Sequence, residues 1–288
     1  MKPKSAMRIN ATAPRAAIAV LAIALAPLAP GSPIASDNFD SYAPGATIVG
    51  GKGGKGRWRS PWTGKDACLA ITNDPRDAVT YTLDNGEVRG GGNALKITGP
   101  AGRGDEVNYD VLGRRIPEMK GDNLFVSFVF KIKDAGDGDG QPLAGMNLVQ
   151  WFAEDDTREF LKDIAAFAGW NGKAGARLSE IDAGSVLPVP LVAGKTYFLV
   201  IKYTGYNTTK DGRYQWCRVW LNPATKDEFT QDKNITYARI GRTPGYGSKG
   251  IRGLYVNTLG LDDGGKYHVV DDIRLGTTWA DVVGKPKK

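Results

Sequence analysis

One histidine and two cysteines among 288 residues leave little for metal or redox chemistry. A zinc ribbon, an iron–sulfur ferredoxin and a His-rich metal site all need more of these ligands. A Ser-His-Asp or Cys-His machine would have to run through His268 alone. Long apolar runs are missing too. The unbroken run Ala16 to Ala26 is eleven residues, and a spanning helix needs about 18. Nor is there a basic stripe. Residues 1–35 carry Lys2, Lys4, Arg8 and Arg15 and no acid, so the formal charge of +7 becomes +3 over residues 36–288, with 34 basic against 31 acidic residues. Lys285, Lys287 and Lys288 account for that excess. Nucleic acid therefore loses its electrostatic support as a partner. Two phosphate-loop lookalikes also fail. Gly194-Lys195-Thr196 has Val189 where the first glycine should stand, and Gly50 to Gly56 (GGKGGKG) is followed by neither Ser/Thr nor a helix.

The first thing present is an export pattern. A basic start, the apolar run and the small residues of APLAPGSPIAS form a signal peptide over residues 1–35, with cleavage expected after Ala35. The mature chain is then a domain over 36–284 with a basic tail at 285–288, and its address is secreted, cell-surface or periplasmic. In such a compartment Cys68 and Cys217 can pair. Cys217 also shares a face with Val219 and Leu221 in QWCRVWL, and a buried thiol suits that face equally well. Both readings stand.

Glycine (38) and proline (16) make up about 19% of the chain, against an average near 12%. They cluster with Asp and Asn in turns such as Asp84-Asn85-Gly86 and Asp262-Asp263-Gly264-Gly265. Between the turns lie segments rich in β-branched and aromatic residues: 78–83, 93–98, 123–133, 145–152, 163–168, 176–182, 196–203, 214–222, 235–240, 250–259 and 268–275. Short helices are expected only at 155–162 and 279–283. About a dozen strands without a repeat argue for one all-β sandwich of two antiparallel sheets. Alternation assigns faces. Val126, Phe128, Phe130 and Ile132 share one, as do Tyr197, Leu199, Ile201 and Tyr203. In the 214–222 segment Cys217, Val219 and Leu221 take the core face, leaving Tyr214, Trp216, Arg218 and Trp220 on the other.

Three stretches carry a family resemblance. They are Asp37-Asn-Phe-Asp-Ser-Tyr-Ala-Pro-Gly45 leading through a Gly-rich stretch to Trp58 and Trp62, then Gly194-Lys-Thr-Tyr-Phe-Leu-Val200 with Val219-Trp-Leu-Asn-Pro223, and Val270-Asp-Asp-Ile-Arg-Leu-Gly-Thr-Thr-Trp279. Together they resemble the concanavalin A-like (LamG-like) jelly-roll domains of exported bacterial proteins, over most of residues 37–284. Members often carry a PEP-CTERM tail, which the closing Val-Gly-Lys-Pro-Lys-Lys288 does not match. The resemblance implies two curved antiparallel sheets whose concave face contacts carbohydrate in many relatives. It supplies no catalytic set, because lectins, hydrolases and lyases share the fold.

The aromatic strand is the leading binding candidate. Rings stack on the apolar faces of sugars, and Arg donates to hydroxyls or carboxylates. Trp216, Trp220, Tyr214 and Arg218 would do this on the concave sheet, with Trp151 on a neighbouring strand. Packing beneath a loop or the other sheet is the competing use of these rings. The catalytic candidates are Glu180 and Asp182 in Ser179-Glu-Ile-Asp-Ala-Gly-Ser185. They resemble the laminarinase-type Glu-Ile-Asp strand, but Gly184 and Ser185 stand where a second Glu is needed. His268, in Lys-Tyr-His-Val-Val, lacks a lyase context and reads as an ordinary strand or surface histidine. Asp134, Asp137 and Asp139 form an oxygen-rich turn that suits calcium without EF-hand spacing. Solvated turn chemistry explains it equally well, and no other cofactor is expected. The sequence thus points to noncatalytic binding of a polysaccharide or surface glycan. A glycan hydrolase or lyase on the same fold, or a structural envelope protein, is the alternative.

Overall fold

The computed structural model describes residues 32–64, 69–98, 111–133, 166–170, 173–176, 185–206, 214–229, 235–239, 251–257 and 267–286. In chain order the strands are β1 (Ala35–Asp37), β2 (Lys55–Gly56), β3 (Leu69–Thr72), β4 (Thr80–Thr82), β5 (Val88–Gly90) and β6 (Ala94–Thr98). There follow β7 (Val111–Met119), β8 (Leu124–Lys133), β9 (Ala166–Trp170), β10 (Lys173–Ala176) and β11 (Ser185–Pro190). The last are β12 (Thr196–Thr204), β13 (Trp216–Leu221), β14 (Ile235–Arg239), β15 (Ile251–Asn257) and β16 (Tyr267–Gly276), before the helix α1 (Trp279–Val282). The chain forms the all-β sandwich expected from the strand pattern, of the jelly-roll type that the resemblance implies. Strands β1, β2, β3, β5, β7 and β11 were not foreseen: four are only two to four residues long, Val111–Met119 carries Gly, Pro and three charges, and Ser185–Pro190 carries two prolines. The expected strand at 145–152 and helix at 155–162 lie outside the described residues. No described helix is long and apolar enough to cross a membrane.

Nine strands form the main sheet, in the order β14-β13-β12-β8-β16-β1-β2, with β6 also on β16 and β3 on β6. Strands β9–β11, β7–β15 and β4–β5 make three smaller sheets, and all pairings are antiparallel. Ala35 is already in register with Leu275, and Ile34 donates its N–H to Leu275 O at 2.6 Å. These two residues, expected at the end of the leader, belong to the sheet.

Strand β8 shows why the sheet has two cores. Its residues Leu124 to Ile132 are all buried, as the run LFVSFVFKI suggests for a strand covered on both faces. Leu124, Val126, Phe128, Phe130 and Ile132 enter the first core, between the main sheet and residues such as Ile116, Ala174, Leu187 and Leu254 of the smaller sheets. Phe125 and Val129 enter a second core on the outer face, with Phe198, Val200, Trp220, Val269, Trp279, Val282 and Val283. There the β4–β5 hairpin and α1 form a cap.

The cap is pinned by polar side chains that rise from the sheet. Ser127 Oγ donates to Val282 O at 2.8 Å, and Lys131 Nζ donates to Ala78 O. Arg89 of the hairpin is fully buried. It donates to Val282 O, to Glu87 Oε1 at 2.9 Å, and lies 2.9 Å from Asp272 Oδ2 as an ion pair. Arg274 holds the other oxygen of Asp272 at 2.8 Å. Helix α1 starts with a capping box between Thr278 and Asp281, and Trp279 Nε1 donates to Thr225 O at 2.7 Å.

Asp271 and Asp272 sit on a β-bulge. The register of β16 against β8 shifts between Asp271 and Arg274, and Asp272 has φ +47°. At this point β16 exchanges one partner, β6, for another, β1. The motif Asp37–Gly45 closes the same end of the sheet. Buried Asp37 accepts from Tyr42 Oη (2.9 Å), Trp62 Nε1 (3.0 Å) and Arg114 (2.8 Å). Arg114 also lies over the Trp58 ring at 4.5 Å. Gly54, at φ +81°, has no room for a Cβ beside Ser36 O, so the glycine-rich stretch is here a tight packing element.

Two outcomes follow. Trp220→Ala should cost about 3–5 kcal/mol of stability, the range for emptying a buried aromatic site, read as a shifted midpoint in urea unfolding. The second concerns Asp271, whose carboxyl burial pushes up to about 8, helped by the charges of Asp272 and Asp40 and opposed by N–H donors of Asp272 and Gly91. Between about pH 4 and 8 the native state therefore keeps a proton that the unfolded chain has released. This contribution to stability is complete below that window and lost as pH rises through it. Thermal unfolding from pH 4 to 9 should show a fall that Asp271→Asn flattens; an unchanged slope would show that Asp271 does not titrate there.

Candidate functional site

The aromatic row of β13 is divided by the fold. Strand β13 lies between β12 and β14, with Cα register Thr204–Trp216, Lys202–Arg218 and Val200–Trp220 to β12. Trp216, Arg218 and Trp220 do share the outer face. Trp220, however, is 1% exposed, in edge-on contact with Trp279 at 5.1 Å under the cap. Its Nε1 has no hydrogen-bond partner. A ring so enclosed presents no face to a sugar.

Tyr214 departs from the alternation altogether. Regular strand geometry begins at Trp216, and the Tyr214 ring turns into the first core beside Tyr203 (5.7 Å) and Tyr206 (5.0 Å). It is 0% exposed, and its hydroxyl donates to Met119 O at 3.2 Å. Counting by twos from Tyr214 assumed a regular strand that begins only at Trp216. Cys217 takes the core face as expected; its thiol is fully buried and burial pushes its pKa well up, whereas Cys68 lies outside the described residues.

What remains open is Trp216, 36% exposed, with half-buried Arg218 beside it. The indole lies against Gly205, where an added Cβ would come within 2.8 Å of Cδ1. Gly205 also has φ +82°, so its backbone and its lack of a side chain both serve the position of the ring. Arg218 Cζ is 5.5 Å from the Trp220 ring centre, which seats the guanidinium at the margin of the cap.

Two further residues complete the patch and were missed by sequence reasoning. Lys202 sits over the Phe125 ring at 4.8 Å and pairs with Glu228 at 2.8 Å. Its Nζ is also 5.9 Å from the ring of Phe229, which is 82% exposed on a 3-10 turn at Asp227–Phe229. The signal for Phe229 was available: a lone aromatic in the polar loop Asn-Pro-Ala-Thr-Lys-Asp-Glu-Phe.

Trp151, Glu180, Asp182, Asp134, Asp137 and Asp139 all lie outside the described residues. Among the described residues no group of three or more His, Cys, Asp or Glu could hold a metal ion. His268 is a buried residue of β16. The glycine-lysine stretches are a turn leading into β12 and, at Gly50 to Gly56, a turn running into β2, with Gly50, Gly54, Gly56 and Gly194 at positive φ.

No protein-family model and no curated protein sequence matches the chain. Solved structures do resemble it, at low identity. One is the PL-14 alginate lyase of Aplysia kurodai, with 9% identity, TM-score 0.45, and coverage of 74% of this chain and 88% of that one. Another is the botulinum neurotoxin serotype D binding domain, with 11% identity and TM-score 0.42, where 86% of this chain spans only 49% of the other. A third is the exoplasmic/lumenal domain of VIP36 in its Ca²⁺-bound form, with 13% identity, TM-score 0.40, and coverage of 81% of this chain and 88% of that one.

Proposed function

We propose that this protein is a noncatalytic carbohydrate-binding β-sandwich, exported to the cell surface, the periplasm or the medium, that contacts a polysaccharide or surface glycan through the outer face of its main sheet. The observation that carries this reading is the exposed indole of Trp216, seated on Gly205 with Arg218 beside it. A large aromatic side chain is normally driven inward, and an indole left open next to a guanidinium offers both a stacking surface and directional donors. Phe229 and Lys202 widen the same face. The neighbouring Trp220 serves the core and is not a contact residue in this reading.

Retention on a panel of immobilised polysaccharides tests it. Trp216→Ala should weaken binding about 30-fold, the effect of truncating a central aromatic contact worth about 2 kcal/mol, while the thermal midpoint moves by only a few degrees. Gly205→Ala should weaken binding as well, by displacing the ring. Folded protein that retains no polysaccharide, or a Trp216→Ala variant that binds as before, would defeat the reading.

A further inference from the structure

An indole alone accepts neutral and charged sugars alike; the groups around it decide which are preferred. We infer that the Trp216 patch selects glycans bearing carboxylate or sulfate groups, an inference that rests on the glycan-binding reading above. Strands β12, β13 and β14 contain Lys202, Arg218 and Arg239 and no acidic residue. The register sets Lys202 opposite Arg218, and Trp216 opposite both Thr204 and Arg239. One cationic position, Arg239, therefore falls on the rung of the exposed indole, and two, Lys202 and Arg218, fall on the adjacent same-face rung.

Arg218 is the decisive member. Three other arginines of this fold face a carboxylate: Arg89 has Glu87 and Asp272, Arg114 has Asp37, and Arg274 has Asp272 and Glu87. Among the described residues Arg218 has no such ion pair, and its guanidinium lies 5.5 Å from the centre of the Trp220 ring. A half-buried guanidinium held against a ring keeps its planar fork oriented, and that fork matches a carboxylate or sulfate with two parallel hydrogen bonds. Glu228, an acid of the adjoining 3-10 turn, is engaged by Lys202 at 2.8 Å from the loop side. An anionic glycan thus meets a cation that no carboxylate pairs among the described residues, next to a stacking ring, and a neutral one gains only the ring.

Calorimetric titration of the purified protein with polygalacturonate, dextran sulfate and neutral dextran distinguishes these cases. At 50 mM salt at least one charged polymer should bind tenfold or more tightly than dextran. Raising salt to 500 mM should erase most of that difference, as screening predicts. Arg218→Ala should remove the discrimination, and Arg218→Lys should restore part of it. Binding of polygalacturonate alone, or of dextran sulfate alone, supports the inference and names the group. Equal affinity for all three polymers, still lowered by Trp216→Ala, overturns charge selection and leaves glycan binding in place. Charged-polymer binding that Arg218→Ala leaves unchanged also overturns it, since the attraction then lies elsewhere. Failure of all three polymers, together with an empty polysaccharide panel on folded protein, takes down both.

Discussion

A sheet with apolar side chains on both faces must be covered twice, and that constraint organises this molecule. Strands β8, β12, β13 and β16 place Val, Leu, Ile and Phe in the sandwich interior and a second set, including Phe198, Val200 and Trp220, on the outside. The smaller sheets cover the first set. For the second, the chain folds back the β4–β5 hairpin and its C-terminal helix. Hydrophobic area is non-directional, so the position of this cap is fixed by polar bonds: Arg89 and Ser127 on the carbonyl of Val282, Lys131 on that of Ala78, Trp279 on that of Thr225.

The extent of the cap then determines where a ligand can be met. It ends over the rung of Val200 and Trp220. One rung further on Lys202 and Arg218 are half-buried, and on the next Trp216 is open. Binding and stability are thereby separated along a single strand. Trp220 and Trp216 have the same chemistry and lie on the same face four residues apart, yet one is buried under the cap and the other is 36% exposed.

The bulge at Asp271–Asp272 shows how polar chemistry manages a change of partner in a buried strand. β16 must serve β6 along its first half and β1 along its second. The left-handed Asp272 makes that step and turns its carboxylate toward Arg89 and Arg274. Asp271 is left in an enclosed site with two N–H donors from Gly91 and Asp272. Removing one of a pair of buried charges is far costlier than never having them, so the sequence Val-Asp-Asp-Ile-Arg is bound to this geometry.

Composition and alternation by themselves determined the class of fold, the apolar faces of β8 and β12 and the core face of Cys217, because a two-residue period is a local property of the chain. The same count placed Trp216, Arg218 and Trp220 on one face correctly and Tyr214 wrongly, since nothing local marks where the strand begins. Only the tertiary structure decided which of those residues is exposed. That depends on a hairpin more than a hundred residues upstream and a helix more than fifty downstream, brought together over Trp220, and no pattern within β13 records how far they reach.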